Sequence, residues 1–245
     1  MKKMICNNHG FTLVELMIAL ALSGVVATGI YSAYTAQQKV YLAQDQVVEM
    51  QQNIRGGMSL LEREIRMAGY DLFKTAGAGI TVATNNQLTF TQDLDEDGDL
   101  NTGTDPGDTI SYTINGDANN DGEVDSSGVS TVGRTTGAGV VYQPIAENIQ
   151  AMEFLYTLAD GTTTTGPVAA ATLPDIRDVQ VTILARAAKV DRTFTNNRVY
   201  CPGSNPYNGT VSGCVSAGGK SWGPYNDNYR RRLLTATINC RNMGL

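Results

Sequence analysis

The sequence predicts an α+β chain in which one long N-terminal helix packs on an antiparallel β-sheet. Three observations carry that reading. From Phe11 to Ile30 runs an apolar stretch of twenty residues with one charge, Glu15, which as a helix at about 1.5 Å per residue spans the roughly 30 Å hydrocarbon layer of a bilayer. The helical pattern then continues to Gly69 with no proline and becomes amphipathic. From Tyr70 onward, short β-branched and aromatic runs alternate with Gly, Asn, Thr and Asp turns.

Lys2 and Lys3 precede the apolar run, as they would in an ordinary secretory signal. Two features count against that reading. Glu15 lies inside the apolar core, where an acid at helix-centre depth costs about 2.5–3.5 kcal/mol. The small residue at a polar boundary, Gly10, comes before the core, so a cut there leaves the membrane helix on the product. The two lysines set orientation, holding residues 1–10 in the cytoplasm and sending the rest across.

The run Gly10-Phe11-Thr12-Leu13-Val14-Glu15 resembles the start of type IV pilin-like proteins, whose short basic leader ends in Gly and is followed by Phe-Thr-Leu-x-Glu. The alternative is a plain signal anchor. The resemblance implies a leader over 1–10, cleavage by a prepilin peptidase between Gly10 and Phe11, and N-methylation of Phe11. Cleavage would create an amine at Phe11, one helical turn before Glu15, and opposite charges offset each other's desolvation when neither can be buried alone. Within one chain this is a self-pair. The resemblance implies more: that Glu15 draws in the amine of a neighbouring subunit and sets its register in a filament.

Beyond the membrane segment, 11–30, the residues Val40, Ala43, Val47, Met50, Ile54, Leu61, Ile65 and Ala68 recur at spacings that place them on one stripe. The stripe reads as the core face of a domain packed on the helix rather than as a free coiled coil. One helix over 11–69 would be about 90 Å long if straight, with its weak point at Gly56-Gly57 and its end at Gly69. The mixed charges of Leu61-Glu62-Arg63-Glu64-Ile65-Arg66 read as a solvated face. The run Glu64-Ile65-Arg66-Met67-Ala68-Gly69-Tyr70 resembles the minor pilins of the PilW kind, and the Arg230–Leu245 tail looks similar too. Minor pseudopilins of type II secretion, the J type, are the close alternative.

The expected strands are Gln87–Thr91, Thr109–Ile114, Gly139–Gln143, Ile149–Thr157, Ile176–Ala187 and Arg231–Asn239. Val179, Val181 and Ile183 alternate, as do Leu234, Ala236 and Ile238, giving each strand one packing face. Residues 70–245 are thus expected to form a β-rich head on the amphipathic half of the helix.

Two acidic loops interrupt that head, at 93–108 and 115–128. Asp93, Asp95, Asp97 and Asp99 alternate, with Gly98 where a calcium loop turns sharply, and Asp117, Asn119, Asp121, Glu123 and Asp125 repeat the design around Gly122. From Asp93 to Asp125 there are eleven acids and no base, a density that repels itself unless a cation sits among the carboxylates. Neither loop ends in the Glu of a full EF-hand; Thr104 and Gly128 hold the twelfth positions, and Asp105 stands one beyond the first. A structural Ca²⁺ is expected at both loops, against the plainer reading of two hydrophilic turns.

Cys6 falls in the leader, leaving Cys201, Cys214 and Cys240. An oxidising compartment permits one bridge. Cys201–Cys214 is the first choice, since the Pro- and Gly-rich stretch between them reads as a loop that a bridge would close; Cys240 reads as a buried thiol, with pairing to it left open. The single histidine, His9, is also in the leader, which removes His-based nucleophiles and His-ligated zinc from the cleaved product, and no catalytic residues are expected. Gly219-Lys220-Ser221 looks like part of a phosphate loop, but Cys214 stands where the first Gly is needed and no strand leads in.

The whole chain carries a net −6, and loss of Lys2 and Lys3 leaves 16 basic against 24 acidic side chains, a net −8. Such a chain is a poor partner for nucleic acid. What the resemblance implies is a minor pilin that helps initiate type IV pilus assembly at or near the filament tip. It would sit first in the inner membrane with a periplasmic head and then in the fibre, its partners being other minor pilins, the major pilin and the prepilin peptidase. The alternative of another class is a membrane-anchored adhesin, using the loops Asp160–Gly166 or Cys201–Trp222 with Trp222 and Tyr225 as contacts.

Overall fold

A computed structural model describes residues 10–100, 107–125, 128–137, 142–208, 213–216 and 219–244. The chain divides into two compact units, residues 1–45 and 46–245. Helix α1 runs Leu13–Ile65, so residues 13–45 belong to the first unit and 46–65 to the second.

In the first unit the apolar side chains of the helix, among them Met17, Leu20, Val25 and Ile30, are exposed. The helix is long and apolar enough to cross a membrane. The hydroxyls inside the apolar run turn back on the helix itself: Ser23 Oγ donates to the Ala19 carbonyl at 2.7 Å and Thr28 Oγ1 to that of Gly24 at 2.8 Å. This satisfies them where no water is at hand.

The second unit is the helix end packed on a sheet of eight strands among the described residues. These are β1 (Ile80–Ala83), β2 (Gln87–Thr91), β3 (Thr109–Ile114), β4 (Ser130–Thr136), β5 (Gln143–Leu158), β6 (Thr163–Thr164), β7 (Ile176–Arg186) and β8 (Arg231–Asn239). The order is β1-β2-β3-β4-β5-β7-β8, with β6 paired to β5 and every pairing antiparallel. Met50, Ile54, Met58, Leu61 and Ile65 of the helix are buried against Leu88, Phe90, Tyr112, Ile149, Phe154, Val181 and Ile183 of the sheet.

Four parts of the sequence reading need correction. The helix begins at Leu13 and ends at Ile65 rather than spanning 11–69, because the last turn tightens, Met67 N donating to Glu64 O at 2.9 Å and Ala68 N to Ile65 O at 3.1 Å. Gly69, at φ +78°, then leaves the helix and gives its amide to Thr91 O at 3.0 Å. Gly56-Gly57 is no weak point: Gly57 is buried against β5, where an added Cβ would lie 3.0 Å from Ala146 Cβ, so it marks a close approach of helix to strand. The burial stripe starts at Met50, since Val40 is exposed and Ala43 and Val47 are only half-buried. Glu64 is not solvated either; it accepts the Tyr112 hydroxyl and pairs with Arg134 Nε at 2.8 Å.

Of the expected strands, Gln87–Thr91, Thr109–Ile114 and Arg231–Asn239 stand at those bounds, and Ile149–Thr157 and Ile176–Ala187 lie within or overlap β5 and β7. Most of the expected strand Gly139–Gln143 lies outside the described residues; Tyr142 is not in a strand and Gln143 opens β5. β1, β4 and β6 were not expected.

Strands β5 and β7 are covered on both faces. Opposite the helix, Ala151 and Leu184 pack with Tyr200 and Trp222 in a second apolar cluster, flanked by Tyr225 and Leu233. That cover comes from the segment between β7 and β8, which contains the disulfide.

Candidate functional site

Gly10 and Phe11, the residues expected at the leader cut, precede the helix and are exposed, with nothing within 4 Å of the position a Gly10 Cβ would take. Thr12 caps the helix. Its backbone N–H and its hydroxyl donate to Glu15 Oε2 at 2.9 and 3.0 Å, while Glu15 N–H donates to Thr12 Oγ1 at 3.2 Å. This is a capping box, in which Thr and the acid three residues on satisfy orphan N–H groups reciprocally. The Thr12-x-x-Glu15 spacing carries this capping signal in the sequence itself. Glu15 therefore has a local role at the helix start, distinct from any partner chain.

The two acidic loops differ. At the first, carboxylate oxygens of Asp93, Asp95 and Asp97 lie within 4.8 Å of one another. Asp93 is fully buried, and Asp95 and Asp97 are exposed. Asp99 and the second loop lie outside that convergence, and Asp105 lies outside the described residues.

At the second loop the side chains are spent on hydrogen bonds within the protein. Asp117 accepts from Asn86 Nδ2 at 2.8 Å, Gly122 N at 2.7 Å and Asp121 N at 3.1 Å. Asn119 Oδ1 accepts from Asp121 N, Asp121 Oδ1 from Glu123 N, and Asp125 Oδ2 from Ala118 N. Glu123 is taken by the Tyr225 hydroxyl at 2.7 Å; burial, and after it this bond, holds the phenol above its usual range. The backbone of the loop is stitched to β5, with Met152 N donating to Gly122 O at 2.8 Å and Val124 N to Gln150 O at 3.0 Å. A Cβ on Gly122, at φ +82°, would meet Met152 O at 2.4 Å. This loop is a built part of the sheet.

Cys201 and Cys214 are bridged, Cα to Cα 5.4 Å, and Cys240 is a buried free thiol. Burial pushes the Cys240 thiol up to about 12, which makes it a poor nucleophile. Cys6 lies outside the described residues. The disulfide segment docks on the sheet through a fully buried acid of β5: Glu153 accepts Ser204 N at 2.9 Å and Ser204 Oγ at 2.8 Å, with Lys220 Nζ at 3.5 Å. Lys220 thus has a structural use unrelated to phosphate.

Of the two contacts the adhesin reading names, Trp222 is only 1% exposed and packs beneath the segment, and Tyr225 is partly buried beside it. Arg231, its side chain buried, forks onto Asp227 with two bonds of 2.6 Å, donates to Gln150 at 2.6 Å and lies 3.9 Å over Tyr225. None of Glu153, Glu64 or Arg231 was singled out from sequence as an anchor.

Residues 5–31 match the model of the prokaryotic N-terminal methylation motif. Residues 111–242 match that of the type IV pilus-assembly protein W. A type IV-like pilin from Thermus thermophilus is similar in structure at a TM-score of 0.46, with 17% identity over 79% of this chain and 97% of that one. No curated protein matches the chain. The assembly-protein match covers just over half the sequence and most of the head, and with it the chain belongs to the type IV pilus-assembly protein W family.

Proposed function

We propose that this chain is a minor pilin that helps initiate a type IV pilus and is incorporated at or near its tip, acting as a structural subunit with no catalytic role. In this reading a prepilin peptidase cuts between Gly10 and Phe11 and methylates Phe11, the helix anchors the subunit in the inner membrane with its head in the periplasm, and the subunit then joins other minor pilins and the major pilin. The observation that carries it is a single carboxylate, Glu15, set at the start of an apolar helix and inside the matched methylation motif of residues 5–31. An acid in hydrocarbon is costly, and a partner subunit's new amino terminus would neutralise it.

The helix cap makes the usual alanine variant ambiguous, because Glu15→Ala removes both the charge and the bond to Thr12. Glu15→Gln keeps an oxygen for the cap and removes the charge. Leader cleavage is followed by mass, and incorporation by the amount of this chain in sheared filaments. Both variants are expected to be cleaved, and both to be lost from filaments. Normal incorporation of Glu15→Gln would show that only the cap matters and would refute charge pairing between subunits.

A further inference from the structure

We infer that the first acidic loop of the head binds one Ca²⁺ through Asp93, Asp95 and Asp97, and that the second acidic loop does not bind metal. The inference is independent of how the chain enters a filament. Three carboxylates converge within 4.8 Å, and between Asp93 and Asp125 the sequence offers no Lys, Arg or His to neutralise them. Exposed acids alone would shed that repulsion into solvent. Asp93 has no such outlet, since it is 0% exposed.

Among the described residues its Oδ2 accepts one bond, from Gly98 N at 3.2 Å, and its Oδ1 is buried with no hydrogen-bond partner. A buried carboxylate oxygen without a donor is an expensive arrangement that a protein keeps when a cation completes it. The hard, all-oxygen donor set selects Ca²⁺ or Mg²⁺ over softer metals. Two of the three acids stand on an open loop, which suits Ca²⁺, whose six to eight ligands tolerate irregular geometry, better than the strict octahedron of Mg²⁺. Water and backbone carbonyls would supply the remaining positions.

The second loop has the same spelling and a different chemistry. Its oxygens at positions one, three, five and nine accept N–H groups of the loop itself and of Asn86, and Glu123 is held by Tyr225. There the backbone amides do what a cation would do. The first loop is also the one tied to the segment that follows α1: Asp93 N donates to Tyr70 O at 2.7 Å, and the Tyr70 hydroxyl to Glu96 Oε1 at 2.8 Å. A cation at Asp93 would fix the loop on that segment.

The test is calorimetric titration of Ca²⁺ into the full chain in detergent micelles, with Tb³⁺ luminescence excited through tyrosine as a second readout. One Ca²⁺ per chain is expected, with a dissociation constant on the order of 10⁻⁴ M, as for extracellular modules, and Ca²⁺ should displace Tb³⁺. The double variant Asp95→Asn/Asp97→Asn changes only exposed side chains, so it should keep its near-ultraviolet circular dichroism while binding at least about tenfold more weakly. Asp121→Asn/Asp125→Asn in the second loop should bind like the parent. Absence of binding up to millimolar Ca²⁺, unchanged binding in the first double variant, or loss of binding in the second would each overturn the assignment.

Discussion

Glu153 is the anchor whose removal is most informative. Its carboxylate is fully buried on β5, while its cationic partner Lys220 keeps 28% of its side chain in solvent. Among the described residues, Lys220→Met leaves that carboxylate with its two bonds from Ser204. Removing one partner of a buried pair costs about 3–5 kcal/mol, and the partial exposure of Lys220 places the expected loss near the lower limit, about 3 kcal/mol. Glu153→Leu should cost less, about 2 kcal/mol, because Ser204 is exposed and can return its donors to water. In the double variant no buried charge remains, so the loss should fall well short of the sum, with a coupling of at least about 1 kcal/mol. Trp222 is the chain's single tryptophan and lies 5.8 Å from Lys220 Nζ. Its fluorescence therefore reports urea unfolding of the full chain in micelles, read as midpoint rather than amplitude. A Lys220→Met variant within about 0.5 kcal/mol of the parent, or strict additivity in the double variant, would refute the argument that Glu153 depends on Lys220.

Two further outcomes follow from particular contacts. The bidentate bonds from Arg231 hold the Asp227 carboxyl below its usual range, so its contribution to stability is full above the unfolded aspartate value of about 3.9 and is lost as pH falls through the lower folded value. Acid titration followed by Trp222 fluorescence should show Asp227→Asn less stable at neutral pH and with a shallower loss below about pH 4; an identical acid profile would count against the pair. In the helix, Gly56 faces open space and Gly57 faces β5, so Gly56→Ala should stabilise by up to about 1 kcal/mol and Gly57→Leu destabilise by about 1–3 kcal/mol through overpacking. The reverse order in thermal melts would mean the helix does not approach β5 as described.

What was legible in the sequence was periodicity. Thr109–Ile114 alternates cleanly in burial, and Leu234, Ala236 and Ile238 alternate in the latter half of Arg231–Asn239, because burial on one face imprints itself every second residue. β4 hides that signal: Gly133 occupies its middle, where a Cβ would run into the ring of Tyr142, and Arg134 looks solvent-facing but reaches Glu64. The first residues of β5 include Pro144, Glu147 and the left-handed Asn148, none of which suggests a strand; there Asn53 holds the backbone of Glu147 by two side-chain bonds. The disulfide was legible because its loop is local. Glu153 was not, since its partners lie 51 and 67 positions away and only the folded sheet introduces them. The two acidic loops are spelled alike, and what separates them is which of their oxygens the backbone already occupies.

The two coverings of β5 and β7 come from opposite ends of the polypeptide: helix residues 46–65 on one side and the segment before β8 on the other. A chain delivered amino end first must hold the apolar row from Met50 to Ile65 ready long before its second lid is made. Interruption after Arg186 would strand the cross-strand pair Ala151 and Leu184, and Glu153 two residues along β5, with no roof at all. The first lid is thus in hand before the sheet exists, and the second can shut only once the polypeptide has been made through Trp222 and Tyr225.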